Sequence, residues 1–99
     1  MARVELSVGA IERLDRMMVT HSLPADTHAR VKRSLHVLER FPTIGRAVEG
    51  RWGGLRFILG PWRWLLIVYV HDEDKDLVSI LTVQDARSST AVTSLTTSR

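Results

Sequence analysis

The sequence predicts an α+β domain: a short N-terminal strand, an antiparallel helical hairpin, then a three-stranded antiparallel meander. Three observations predict it. Residues 54–87 read as three β-prone runs separated by turn chemistry. Two stretches before them carry apolar residues three and four apart, the period of a helix with one buried face. The 99 residues suffice for one domain built as two layers around one core.

Each element has its own signature. Residues 3–7 alternate polar and apolar, with Val4 and Leu6 against Glu5 and Ser7, and read as a short edge strand. Ser7 is a helix cap, and Ile11, Leu14 and Met18 form the buried stripe of a first helix ending near residues 20–23. Pro24 fits the first turn of a second helix, where its missing N–H costs nothing. Val31, Leu35 and Leu38, joined at the start by His28, form its buried stripe, and Phe41-Pro42 ends it. Residues 43–53 form a loop with glycines at 45, 50 and 53.

In the meander, Leu55, Phe57 and Leu59 alternate with Arg56 and Ile58, and the central strand follows Gly60-Pro61. On that strand Trp62, Trp64, Leu66, Val68 and Val70 face one way, and Arg63, Leu65, Ile67, Tyr69 and His71 the other. The first set is uncharged and is expected under the helices. The acidic run at 72–76 is a turn, and the last strand covers about 77–84. The domain thus spans 1–87. The Ser/Thr-rich residues 88–99, with few large apolar groups, predict a flexible tail.

With no cysteine there is neither a disulfide framework nor a thiolate metal site. The seven apolar residues 64–70 fall far short of the roughly 20 a membrane helix needs. No apolar signal core opens the chain, so a cytoplasmic location is expected. The net charge of +3 is carried mostly by arginine, whose planar fork suits phosphate and carboxylate. Residues 50–71 hold Arg51, Arg56 and Arg63 and no acid, which predicts a basic sheet face with an acidic rim at 72–76.

Candidate chemistry comes from placement. Arg56, Arg63 and Arg87 lie on or at the ends of three adjacent strands. Converging on one face, they would bind a phosphate and stabilise extra charge in a transition state; as ordinary surface cations they would be solvated or paired with Asp85. Arg51 and Trp52, in the glycine-rich loop, are nucleic-acid-binding candidates, the indole as a base-stacking surface. Trp62 and Trp64 read as core. His71 ends the central strand and is either an acid–base group or a polar residue opening a turn. His28 and His36 lack the spacing of a helical zinc motif, and no metal or cofactor is expected.

Several local sequences resemble the RelE/ParE toxins of type II toxin–antitoxin (plasmid stabilisation) systems. They are Val4-Glu5-Leu6-Ser7, Leu38-Glu39-Arg40-Phe41-Pro42-Thr43-Ile44-Gly45-Arg46, Leu55-Arg56-Phe57, Gly60-Pro61-Trp62-Arg63, and Ile80-Leu81-Thr82-Val83-Gln84-Asp85-Ala86-Arg87. The resemblance implies a cognate antitoxin that wraps the toxin at a sheet edge and an apolar groove. It also implies one of two activities. RelE-like members cut mRNA at the ribosome without a metal, using basic residues, for which Arg56, Arg63 and Arg87 stand here. ParE-like members poison DNA gyrase and lack that set. This chain departs from the ribonuclease pattern: the lysines before and on the first meander strand are absent, Asp85-Ala86 replaces histidine or a second basic residue, and no tyrosine follows Arg87. With Pro42-x-x-Gly45 these departures point to the gyrase-directed side. A ribosome-dependent mRNA endoribonuclease is the alternative, and a non-toxic interaction module a third.

Overall fold

A computed structural model describes residues 1–48 and 54–87. The elements are β1 (Arg3–Leu6), α1 (Val8–Thr20), α2 (Thr27–Arg40), β2 (Arg46–Ala47), β3 (Leu55–Leu59), β4 (Leu65–Asp72) and β5 (Leu77–Asp85). The expected tail at 88–99 lies outside the described residues. The strands form one mixed sheet in the order β1-β5-β4-β3-β2, parallel only between β1 and β5. The expected meander is β3, β4 and β5, all antiparallel. Among the described residues no helix is long and apolar enough to cross a membrane.

Local chemistry sets the helix bounds. The Ser7 hydroxyl accepts the Ala10 amide at 3.0 Å, capping α1, and donates to the Leu81 carbonyl, which fixes that cap on β5. Ser22, at φ 50°, takes the left-handed conformation that ends α1 and turns the chain back. The second helix starts later than expected, at Thr27. Pro24 stays in the preceding turn, where its carbonyl accepts both the amide and the hydroxyl of Thr27. That makes Thr27 a satisfied polar group inside the core. His28 is exposed instead and pairs with Asp15 of α1 at 2.9 Å. In α1 the buried stripe is Ala10, Leu14 and Met17, one residue round from the expected one, so Ile11 is exposed.

The core lies between the helices and one sheet face. Leu14 and Met17 of α1 and Val31, Leu35 and Leu38 of α2 pack on Leu65, Ile67 and Tyr69 of β4 and Val78, Ile80 and Val83 of β5. Each such side chain, fully buried, contributes about 1.5–3 kcal/mol relative to exposure. The expected face is therefore corrected: the helices cover the Leu65, Ile67 and Tyr69 set. The reason is where the strand begins. Residues 62–64 belong to the turn, so Arg63 is not on the strand and its charge does not mark a solvent face. Leu66 and Val68, on the opposite face, are only 5% exposed, so absence of charge cannot tell the two faces apart.

Two irregularities shape the ends of the sheet. The loop expected at 43–53 contains the two-residue strand β2, paired with Phe57 and Arg56. The β4–β5 register shifts between Val68 and Tyr69, leaving Leu81 without a partner. This bulge changes the alternation of β5, so that Val83 and Asp85 follow Val78 and Ile80 onto the helix side.

Candidate functional site

Two corners of the sheet gather the polar side chains. At the first, the β3–β4 turn meets the end of β5 and the end of α1. Trp62 and Trp64 stack with ring centroids 5.6 Å apart, and His21 stacks on Trp64 at 5.3 Å. The Arg87 guanidinium lies 4.6 Å from the Trp64 ring centre, a cation–π contact. Asp85, aimed inward by the bulge, bonds His21 Nε2 at 2.9 Å and Arg87 at 3.1 and 3.2 Å, and accepts the Arg87 amide at 2.8 Å. Arg87 foremost, with His21 in support, holds the Asp85 carboxyl well below the usual carboxylate range. The other His21 nitrogen, Nδ1, sits 2.8 Å from the Thr20 hydroxyl, so both ring nitrogens are engaged.

At the second corner, β3 and β4 meet the loop after α2. The buried Tyr69 hydroxyl accepts the Gly45 amide at 2.9 Å, and Arg56 donates to the Gly45 carbonyl at 2.9 Å. Burial pushes the Tyr69 phenol up, opposed by the Gly45 bond and by the Arg56 charge.

The expected arginines are thus distributed over both corners. Arg56 pairs with Tyr69 and Asp85 with Leu65, four residues apart on β4, about 13 Å at roughly 3.3 Å per residue. Arg56 is turned to the Gly45 carbonyl. Arg87 is turned to Asp85 and Trp64. Arg63, exposed in the turn, has no ion-pair partner among the described residues. Arg51 and Trp52 lie outside the described residues. His71 bonds Asp76 at 3.1 Å across the acidic turn. Sequence reasoning offered Asp85 as a partner for a strand arginine but missed its second partner, His21. Asp85 and His21 are 64 positions apart, and no local pattern announces a pairing that the β5 bulge creates.

No family model and no curated protein sequence matches this chain. Solved structures do. A chain of the toxin–antitoxin complex RelBE2 from Mycobacterium tuberculosis superposes with a TM-score of 0.63 at 22% identity, covering 85% of this chain and 96% of that one. For the intact E. coli RelBE toxin–antitoxin complex the values are 0.62, 17%, 89% and 100%. For the isolated E. coli RelE toxin they are 0.60, 16%, 93% and 93%. At such identities the likeness lies in the path of the backbone. This chain has the fold of the RelE toxins.

Proposed function

We propose that this chain is the toxin of a type II toxin–antitoxin pair. A cognate antitoxin holds it inactive in a hetero-oligomeric complex in the cytoplasm, and once released it arrests growth by binding DNA gyrase. The observation that carries the choice of a binding toxin is the engagement of the strand arginines. Arg56 is bonded to the Gly45 carbonyl and Arg87 to Asp85. A phosphate-cleaving site needs unengaged donors converging on one phosphate. Here Asp85 would compete with that phosphate for Arg87. Support for an antitoxin partner comes from the similar structures, several of which are toxin–antitoxin complexes.

The second reading is a ribosome-dependent mRNA endoribonuclease, with Arg56, Arg63 and Arg87 as its catalytic residues and Arg51 and Trp52 contacting RNA. Arg87, over the Trp64 ring, and Arg63, exposed in the turn between Trp62 and Trp64, favour it. Inducible expression in a bacterial host, scoring growth, plasmid supercoiling and message integrity together, separates the readings. Arrest with altered supercoiling and intact messages is expected. Arrest with cut messages would establish the endoribonuclease instead, and no arrest would leave a non-toxic interaction module of the same fold.

A further inference from the structure

Among the described residues β1 ends the sheet, with β5 as its one neighbour. The amides of Arg3 and Ser7 donate to the carbonyls of Asp76 and Ile80 on that side. Backbone groups alternate along a strand, so the N–H and C=O of Val4 and Leu6 point the other way, to the open edge. Such a row of groups is a template for pairing with another strand. Side chains alternate too. Val4 and Leu6 pack against the core, whereas Arg3 and Glu5 are exposed on the opposite face and pair with each other at 3.5 Å. Beside the edge, Val4 and Leu6 form a groove of about 170 Å³ with Lys32, Leu35, His36 and Glu39 of α2. The Ala2 amide bonds the Glu39 carbonyl at 2.8 Å, so Glu39 stands at the start of β1. Lys32, about two turns earlier in α2, lies towards the Leu6 end.

We infer that the open edge of β1 binds a second copy of this chain, strand antiparallel to strand, about a two-fold axis through Val4. Val4 of each copy then exchanges both backbone bonds with Val4 of the other. Charge decides the occupant and the register. With Val4 opposite Val4, Arg3 of each copy lies opposite Glu5 of the other. The same axis turns Lys32 of each copy towards Glu39 of the other, across the apolar floor of Val4, Leu6 and Leu35. The neighbouring register, Val4 opposite Leu6, sets Glu5 against Glu5, and like charges directly opposite destabilise a sheet. Opposite charges flank Val4 on the strand, and opposite charges close the two ends of the groove. A surface of that pattern is its own complement under a two-fold axis. A strand carrying one sign of charge would satisfy only half of it. The inference does not depend on the target of the toxin.

Sedimentation velocity of the purified full chain over a concentration series tests it. The parent should shift, as concentration rises, to twice the mass of one chain. Arg3→Glu and Glu5→Arg, single changes at exposed positions, each set like charges opposite one another across the axis. Each should weaken self-association about tenfold or more. In an equimolar mixture of the two variants the acidic strand of one faces the basic strand of the other, and association should return to the parental level. Circular dichroism should be the same for all three chains. A parent that stays monomeric throughout would overturn the inference and leave the edge to a strand of another protein. Parental self-association by either single variant would overturn it too, as would a mixture that stays monomeric. Gyrase inhibition by a monomeric parent would remove this inference and leave the gyrase reading standing.

Discussion

The buried hydroxyl of Tyr69 accepts the amide N–H of Gly45 at 2.9 Å, and this bond closes the loop after α2 onto the central strand. The approach leaves no room for a side chain. A Cβ at residue 45 would lie 2.5 Å from the Tyr69 hydroxyl and 2.8 Å from the Phe57 carbonyl oxygen. Gly45→Ala should therefore destabilise the fold by about 2–3 kcal/mol, as overpacking does. Tyr69→Phe keeps the ring but leaves the Gly45 amide unpaired, and should cost about 1–2 kcal/mol. Urea unfolding measures both; a neutral Gly45→Ala would show that the loop is not held this way.

The same phenol predicts an alkaline limit. Burial raises the Tyr69 pKa above its ordinary 10.0, so the folded chain keeps the proton that the unfolded chain releases. Stability is complete below about pH 10 and falls as pH rises through the folded value. Tyr69→Phe should remove this component and flatten the alkaline limb of a stability–pH profile.

Asp85 predicts the opposite limb. Its pKa is lowered from the ordinary 3.8, first by the Arg87 hydrogen bond, so the folded state favours the carboxylate. The resulting stability is present above pH 3.8 and is lost as pH falls below it towards the folded value. Asp85→Asn should be less stable than the parent at neutral pH and lose less on acidification, in thermal unfolding at a series of pH values.

Arg56 and Arg63 should behave differently. Arg56→Ala leaves the Gly45 carbonyl without its donor and should cost about 1–2 kcal/mol of stability. Arg63→Ala, at an exposed turn position, should change stability by less than about 0.5 kcal/mol. A binding toxin without a cleavage site predicts full toxicity for the Arg63→Ala variant. Loss of toxicity in that variant, at unchanged stability and antitoxin affinity, would favour the endoribonuclease.

Much of this fold was legible in the sequence. Val31, Leu35 and Leu38 marked their helix face, Ser7 marked the start of α1, and the turn at 72–76 marked the β4–β5 hairpin, because each signal is local. Which side of β4 lies under the helices was not legible. Both sides are apolar, and the assignment turned on Arg63, which lies in the turn before the strand. The His21–Asp85 contact at the first corner was illegible for a related reason. His21 meets Asp85 only because Leu81 drops out of register, and nothing near Leu81 encodes a bulge. Of the two readings of the strand arginines, sharing one phosphate requires neighbouring strands to bring the cations together, whereas pairing with Asp85 is what Arg87 does. Arg56 is instead held four residues along β4 by the Gly45 carbonyl, a partner set by the path of the loop.

The most direct test of arrest by binding is plasmid supercoiling by purified DNA gyrase at saturating toxin, run beside ribosome-dependent cleavage of a defined message. The account predicts inhibited supercoiling, relieved by the cognate antitoxin, with the message intact. Unimpaired supercoiling together with cleaved message would contradict it.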